Sequence, residues 1–227
     1  VGHAGTLDPL ATGVLVVALG RATRLLEYVT GQPKTYEAVV RLGQTSATYD
    51  AEGELTPAKQ LPALSSAALE EALDQFRGPI SQVPPMYSAV KREGRPLYEL
   101  ARRGVSVERE PRQVTIYDLQ LLEWSPPDLH LRVECSAGTY IRSLAHDLGQ
   151  ALGVGGYLAA LRRTAVGPFK LANAVALDTL NVENVVQFLL PPDSAVAHLP
   201  ALALDSEAAR LLRHGQRLPR QAGADEA

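Results

Sequence analysis

Gly2-His3-Ala4-Gly5-Thr6-Leu7-Asp8-Pro9-Leu10-Ala11-Thr12-Gly13, running into Val14-Leu15-Val16-Val17-Ala18-Leu19, sets one carboxylate in an otherwise uncharged, glycine-bordered loop ahead of an apolar run. The run has the length and β-branching expected of a buried strand, so Asp8 is expected close to the core. Glycines at 2, 5 and 13 permit backbone conformations and close approaches that larger residues forbid, and Pro9 biases Asp8 toward an extended backbone. A side chain held in this way is presented rigidly. An Asp-Pro pair in a loop also reads as a turn residue that accepts backbone hydrogen bonds, and the residues alone leave both readings open.

The surrounding composition sets bounds on the rest. A chain of 227 residues with 46% hydrophobic and 21% charged residues fits one sizeable globular domain, or a domain with a small appendage. The apolar runs fall short of the roughly 20 residues a spanning helix needs, and no secretory signal is visible, so a cytoplasmic location and no membrane partner are expected. The single cysteine, Cys135, excludes an intramolecular disulfide; alternation through Leu129, Leu131 and Val133 puts it on an apolar strand face, where packing is its expected role. A net charge of −3 argues against a general polyanion coat. Yet Lys91, Arg92, Arg95, Arg102, Arg103, Arg109 and Arg112 cluster locally against Glu93, Glu99, Glu108 and Glu110. That pattern suits either a solvated, ion-paired face or a phosphate-binding surface.

Strand and helix signals alternate without repeats. Arg21 to Val29 reads as a short helix, Tyr36 to Leu42 as a strand and Thr45 to Pro62 as a polar loop. Leu69, Leu73 and Phe76 recur at helical spacing before Gly78, and Pro96 to Arg103 reads as a helix opened by proline and closed by Gly104. Val114 to Trp124 and Leu129 to Cys135 look like two strands joined through Ser125-Pro126-Pro127-Asp128. Ile141, Leu144, Ala145, Leu148 and Leu152 line one face of a helix ending near Gly153, which leaves His146 and Asp147 on its solvated outer part. The order predicts an α+β fold with a mixed, largely antiparallel central sheet flanked by helices. The histidines at 3, 130, 146, 198 and 214 show no paired metal spacing, and Gly153-Val154-Gly155-Gly156 follows a helix where a dinucleotide loop follows a strand. No metal and no cofactor are expected.

Gly2 to Gly13 resembles the catalytic-aspartate motif of the bacterial tRNA pseudouridine synthase B (TruB) family. Lys34-Thr35-Tyr36-Glu37-Ala38, Pro84-Pro85-Met86-Tyr87-Ser88-Ala89-Val90-Lys91, Cys135-Ser136-Ala137-Gly138-Thr139-Tyr140-Ile141-Arg142-Ser143-Leu144 and Tyr157-Leu158-Ala159-Ala160-Leu161-Arg162-Arg163 resemble its other motifs, in its order and at its spacings. The resemblance implies the pseudouridine synthase fold over residues 1–190, lacking an N-terminal portion the family normally carries, with an RNA-clasping thumb at about 84–113. Residues 195–227 resemble the opening of a PUA-type RNA-binding domain.

The implied reaction isomerises uridine 55 of the tRNA T loop, with Asp8 as the essential catalytic group. The uridine must leave its stack to be reached. By resemblance Tyr36 stacks on the flipped base and is a candidate for the final proton transfer at C5, Tyr140 and Leu161 line the uracil pocket, and His3 helps displace stacked T-loop bases. Arg142, just inside its helix, is expected to pair with Asp8 through a charged fork of hydrogen bonds. Lys91, Arg102, Arg103 and Arg109 are the expected RNA contacts. The partner is then the tRNA T arm, with no protein partner implied and a monomer expected. Two other readings stand beside this one: a non-catalytic RNA-binding or tRNA-folding protein using the same cleft, and a glycosidase, which requires a second positioned acid.

Overall fold

The computed structural model describes residues 1–88, 91–92, 95–102 and 107–218. Its elements in chain order are β1 (Gly2–His3), β2 (Ala11–Gly13), β3 (Val17–Ala18), α1 (Leu26–Thr30), β4 (Lys34–Leu42), α2 (Ser66–Asp74) and β5 (Gly78–Gln82). They continue with β6 (Lys91–Arg92), β7 (Arg95–Pro96), α3 (Leu97–Arg102), β8 (Arg112–Ser125), β9 (Asp128–Cys135) and α4 (Ile141–Ala151). The last are β10 (Gly156–Val166), β11 (Phe169–Lys170) and α5 (Ser206–Arg213). Among the described residues the main sheet runs β11-β10-β4-β9-β8-β5, with β2 added to β10. The β2–β10 pair is parallel and the others are antiparallel, so the sheet is mixed and largely antiparallel, as expected.

Alternation decides which face is buried. In β9 every second residue, Leu129, Leu131, Val133 and Cys135, is buried, and β4 contributes Tyr36, Ala38, Val40 and Leu42 to the same layer. Against it pack Leu69, Ala72 and Leu73 of α2 and Ile141, Leu144, Ala145 and Leu148 of α4. Fully burying each leucine or isoleucine among these stabilises the fold by about 1.5–3 kcal/mol. The opposite face carries charge, and Arg41 of β4 makes a two-pronged ion pair with Asp128 of β9, both bonds at 2.7 Å. The Cys135 thiol donates to the Lys34 carbonyl at 3.7 Å, and burial pushes its pKa up to about 11, which suits the expected packing role.

Helix ends follow their caps. The Ser65 side chain accepts from the Ala68 amide at 3.2 Å to open α2, and Gly153, at φ +72°, turns the chain out of α4. The α4 helix crosses β10 at very close range. A Cβ on Gly149 would lie 2.1 Å from the Gly156 nitrogen and 2.4 Å from the Gly155 carbonyl carbon. Because those are backbone atoms, Gly149→Ala is expected to destabilise the protein by about 2–3 kcal/mol or more. Thermal unfolding reads this directly, and a melting temperature equal to the parent's would show that the helix can slide.

Two expectations are corrected. Val14 to Leu19 is not one buried strand: only Val17–Ala18 pair, with β1, while Leu15, Val17 and Leu19 remain 45–50% exposed. Gly13, at φ +104°, turns the chain off β10 after the three residues of β2, and only Val14 and Val16 reach the small apolar cluster with Ala4, Val29 and Val166. Nor is the outer part of α4 simply solvated. His146 stacks on Tyr49 with ring centroids 3.9 Å apart, and its Nδ1 is buried without a hydrogen-bond partner among the described residues. Burial, then the charge of Arg109, lowers its pKa, and burial raises that of Asp147. The loop after β4 folds back over this helix, which periodicity within the helix could not reveal.

Candidate active site

Asp8 reaches its position because β2 begins three residues later and is locked into β10. The Ala11 amide closes a turn on the Asp8 carbonyl at 2.8 Å, and Leu161 and Arg163 of β10 lie beside Ala11 and Gly13. On the other side of β10, Arg163 stands directly opposite Tyr36 of β4. Neighbouring strands are about 4.8 Å apart, so this register brings the Asp8 loop and Tyr36 to one cleft. Asp8, Tyr36, Leu161 and Arg163 line it together with Thr6 and Leu7, and Thr139, Tyr140 and Ile141 complete the wall at the start of α4.

Behind Asp8 lies Arg142, the second residue of α4 and 5% exposed. Its Nε and Nη2 donate to the two Asp8 carboxylate oxygens at 3.0 and 2.8 Å, the expected fork. Nη2 also donates to the Tyr87 carbonyl at 2.9 Å, and Nη1 stands 3.4 Å from Asp50 Oδ2. The guanidinium thus bridges two carboxylates. The start of α4 is itself pinned to β5: Gln82 donates to the Tyr140 carbonyl at 3.0 Å and accepts from its amide at 2.7 Å, while the Ser143 hydroxyl donates to the Val83 carbonyl at 2.8 Å.

Asp50 is 2% exposed and is held by the Thr48 hydroxyl and, at 3.1 Å, by the Glu52 amide. It does not line the cleft; Arg142 stands between it and Asp8. Sequence reasoning missed it, because an aspartate in the polar stretch 45–62 looks like any solvated turn residue. Arg163 was missed too, although its signal was present: alternation from Leu161 puts it on the same face of β10.

The Tyr36 phenol is pushed up to about 12, by burial first and then by Cys135, with Arg163 opposing through its charge and a hydrogen bond. It therefore keeps its proton at neutral pH. Nearby, Lys34 is buried, donates to the carbonyls of Thr30 and Gln32 at 2.8 and 2.9 Å, and has its pKa lowered by burial and then by Arg163.

The structure thus brings together Asp8, Tyr36, Tyr140, Arg142 and Leu161. His3 lies on β1, exposed and outside the cleft lining. Arg109 donates to the Pro84 carbonyl at 3.0 Å, tying the two ends of the 84–113 segment. Arg103 and the side chains of Lys91 and Arg102 lie outside the described residues. Among the described residues no cluster of three or more His, Cys, Asp or Glu is placed to hold a metal ion, and no helix is long and apolar enough to cross a membrane.

Comparison with known proteins places this geometry. Residues 1–141 match the model of the TruB family pseudouridylate synthase N-terminal domain, and residues 142–197 match that of the tRNA pseudouridylate synthase B C-terminal domain. The boundary between the two falls inside α4, between Ile141 and Arg142. The chain is 51% identical over 222 residues to tRNA pseudouridine synthase B of Pseudomonas aeruginosa (strain UCBPP-PA14), covering 95% of this chain and 73% of that protein. Against the protein of the same name from Dehalococcoides mccartyi it is 48% identical over 219 residues, with the same coverage of 95% and 73%. Among solved structures, a Cbf5-Nop10-Gar1 complex matches with a TM-score of 0.70 at 32% identity, over 94% of this chain and 58% of that one. An H/ACA RNP bound to a substrate RNA containing 2′-deoxyuridine matches with a TM-score of 0.68 at 29% identity, over 96% and 58%. The chain therefore spans rather more than half of those structural relatives.

Proposed function

The chain belongs to the TruB family of pseudouridylate synthases, and on that premise we propose that it converts uridine 55 in the T loop of tRNA to pseudouridine, with Asp8 as the essential group. The observation that carries the reading is the cleft that Asp8, held by the Arg142 fork, lines together with Tyr36, Tyr140 and Leu161. In this reading residues 1–190 form the catalytic domain, the segment at about 84–113 clasps the RNA arm, and residues 195–227 are a PUA-like RNA-binding segment.

The reaction conserves every atom of the uridine save one exchanged hydrogen. The bond between N1 and C1′ breaks, the uracil turns, C5 joins C1′, the hydrogen on C5 leaves and N1 takes up a proton. No oxidant, reductant or group donor is required. A carboxylate serves by attacking C1′, by stabilising positive charge on the sugar, or by removing its 2′ hydrogen. The two donors from Arg142 fix the plane of that carboxylate before substrate arrives, the preorganisation that makes an electrostatic contact effective. Because a stacked base is out of reach of Asp8, the nucleotide flips into the cleft, where the neutral Tyr36 ring stacks on it and its hydroxyl relays the C5 proton. Leu161 and Tyr140 supply the other walls, while His3, exposed on β1, meets the T loop. A glycosidase reading is weakened by Asp50: the second carboxylate near Asp8 is buried behind Arg142, where it cannot protonate a leaving group.

The test uses a T-arm RNA carrying tritium at C5 of its uridines. The protein is expected to release label from one uridine per arm, and a T arm with cytidine at that position is expected to release none. Release should persist after exhaustive chelation in monovalent salt that keeps the RNA folded. No release from the parent arm overturns the assignment, and loss on chelation that zinc alone restores overturns the metal-free chemistry.

A further inference from the structure

Arg163 is a cation almost entirely removed from water, 1% exposed, and among the described residues no carboxylate pairs with it. Burying an unpaired charge is costly unless every donor finds an acceptor, so such a residue calls for an explanation. Three of its donors go to backbone carbonyls of the segment that carries Asp8, and a further hydrogen bond reaches the Tyr36 phenol. Nη2 donates to Gly5 at 3.0 Å, Nη1 to Thr6 at 3.3 Å and Nε to Val14 at 2.8 Å. The guanidinium therefore grips the loop on both sides of Asp8. The backbone of the same residue grips it again: the Val14 amide donates to the Arg163 carbonyl at 2.8 Å, and a Cβ on Gly13 would lie 2.2 Å from that oxygen. On its other side Arg163 is the cross-strand partner of Tyr36, and both side chains face the cleft.

From this we propose that Arg163 is a positioning residue that holds Asp8 and Tyr36 in one frame, its fork fixing the Asp8 loop while its strand position fixes Tyr36 beside it. The inference rests on the pseudouridine synthase reading for what the frame is used for, but the grip on the loop is independent of it. Geometry is what the fork contributes. A lysine at the same position keeps the charge yet offers a single nitrogen, which cannot reach three carbonyls set around a plane. Lys34 shows that charge is already abundant there, since Gly5 lies between the two: a Cβ on it would be 3.5 Å from Lys34 Cε and 3.8 Å from Arg163 Nη1. A second lysine would add repulsion without restoring the grip.

The test measures three quantities on the full chain for the parent, Arg163→Lys and Arg163→Ala: T-arm RNA affinity, single-turnover rate with saturating RNA, and amide hydrogen exchange over residues 4–14. Arg163→Lys is expected to bind RNA within about threefold of the parent while its rate falls about 100-fold, the usual cost of displacing a reacting group by an ångström. The loop amides should exchange faster in the same variant, without faster exchange in β9. Guanidinium ion at non-denaturing concentration should restore Arg163→Ala at least about tenfold, where urea, of like shape and no charge, should not. A rate within about threefold of the parent in Arg163→Lys, with unchanged loop exchange, overturns the proposal. So does a fall in rate matched by an equal fall in RNA affinity, or equal rescue by urea. If Arg163→Ala does not fold, Arg163→Lys and the exchange data decide alone. A parent that makes no pseudouridine overturns the functional reading instead, and the exchange experiment then still tests the grip.

Discussion

Asp8→Asn is expected to lower the single-turnover rate of pseudouridine formation by about 10⁴-fold or more while leaving T-arm RNA affinity within about threefold of the parent. The rate loss corresponds to about 5 kcal/mol of transition-state stabilisation, the scale at which a group that takes part in bond making is lost. Affinity should survive because RNA is held mainly by phosphate contacts and by stacking, neither of which uses this carboxylate. Asparagine preserves the volume and one acceptor oxygen, so Arg142 keeps a partner there and also keeps Asp50 and the Tyr87 carbonyl. Stability should therefore change little, which separates a chemical effect from an unfolded variant. Asp8→Ala should behave alike in rate, with a somewhat larger effect on stability because the fork loses both acceptors. A rate for Asp8→Asn within tenfold of the parent, by the same arithmetic about 1.4 kcal/mol, would remove Asp8 from the chemistry and favour an RNA-binding role for the cleft.

Several features of this molecule can be read before any coordinates are seen, and the reasons differ from residue to residue. Leu129, Leu131, Val133 and Cys135 announce a half-buried strand because side chains alternate with a period of two, and α4 announces its buried face through the spacing of Ile141, Leu144, Ala145 and Leu148. The Asp8–Arg142 contact joins residues far apart in sequence, and no local pattern implies it; the resemblance to a family did. Asp50 escaped because burial of a polar loop is a property of what folds over it, here the bridge from Asp50 to Leu158 of β10, and nothing in residues 45–62 encodes that contact. His146 escaped for the same reason, as the partner covering it, Tyr49, belongs to that loop. Val14 to Leu19 misled in the opposite direction: apolar, β-branched residues suit a strand, but a glycine at positive φ ahead of them steers the chain off the sheet.

Arg142→Met is expected to be the second most damaging single change, and it should damage two things at once. The substitution keeps most of the side-chain length and its apolar contacts but deletes the cation that lies between Asp8 and Asp50. Asp8, at 29% side-chain exposure, can turn to water; Asp50, at 2%, cannot. Leaving one member of a buried ion pair behind costs about 3–5 kcal/mol, because the charge remains without its compensation. For a chain of this length that corresponds to a fall in melting temperature of roughly 10 °C. The rate at saturating RNA should fall by about 10²–10³-fold, since the Asp8 carboxylate is no longer held in one plane. Adding Asp50→Asn to Arg142→Met separates the two effects: the double variant removes the stranded charge while keeping the contacts to Thr48 and Glu52, so it should regain much of the lost stability. It should not regain rate, because nothing has replaced the fork on Asp8. Arg142→Lys should lose less stability than Arg142→Met, retaining the charge, yet remain slow for want of a second donor. Thermal unfolding and single-turnover kinetics on the three variants decide the matter. Recovery of rate together with stability in the double variant would mean that Arg142 serves the fold alone and that Asp8 finds its working position without it.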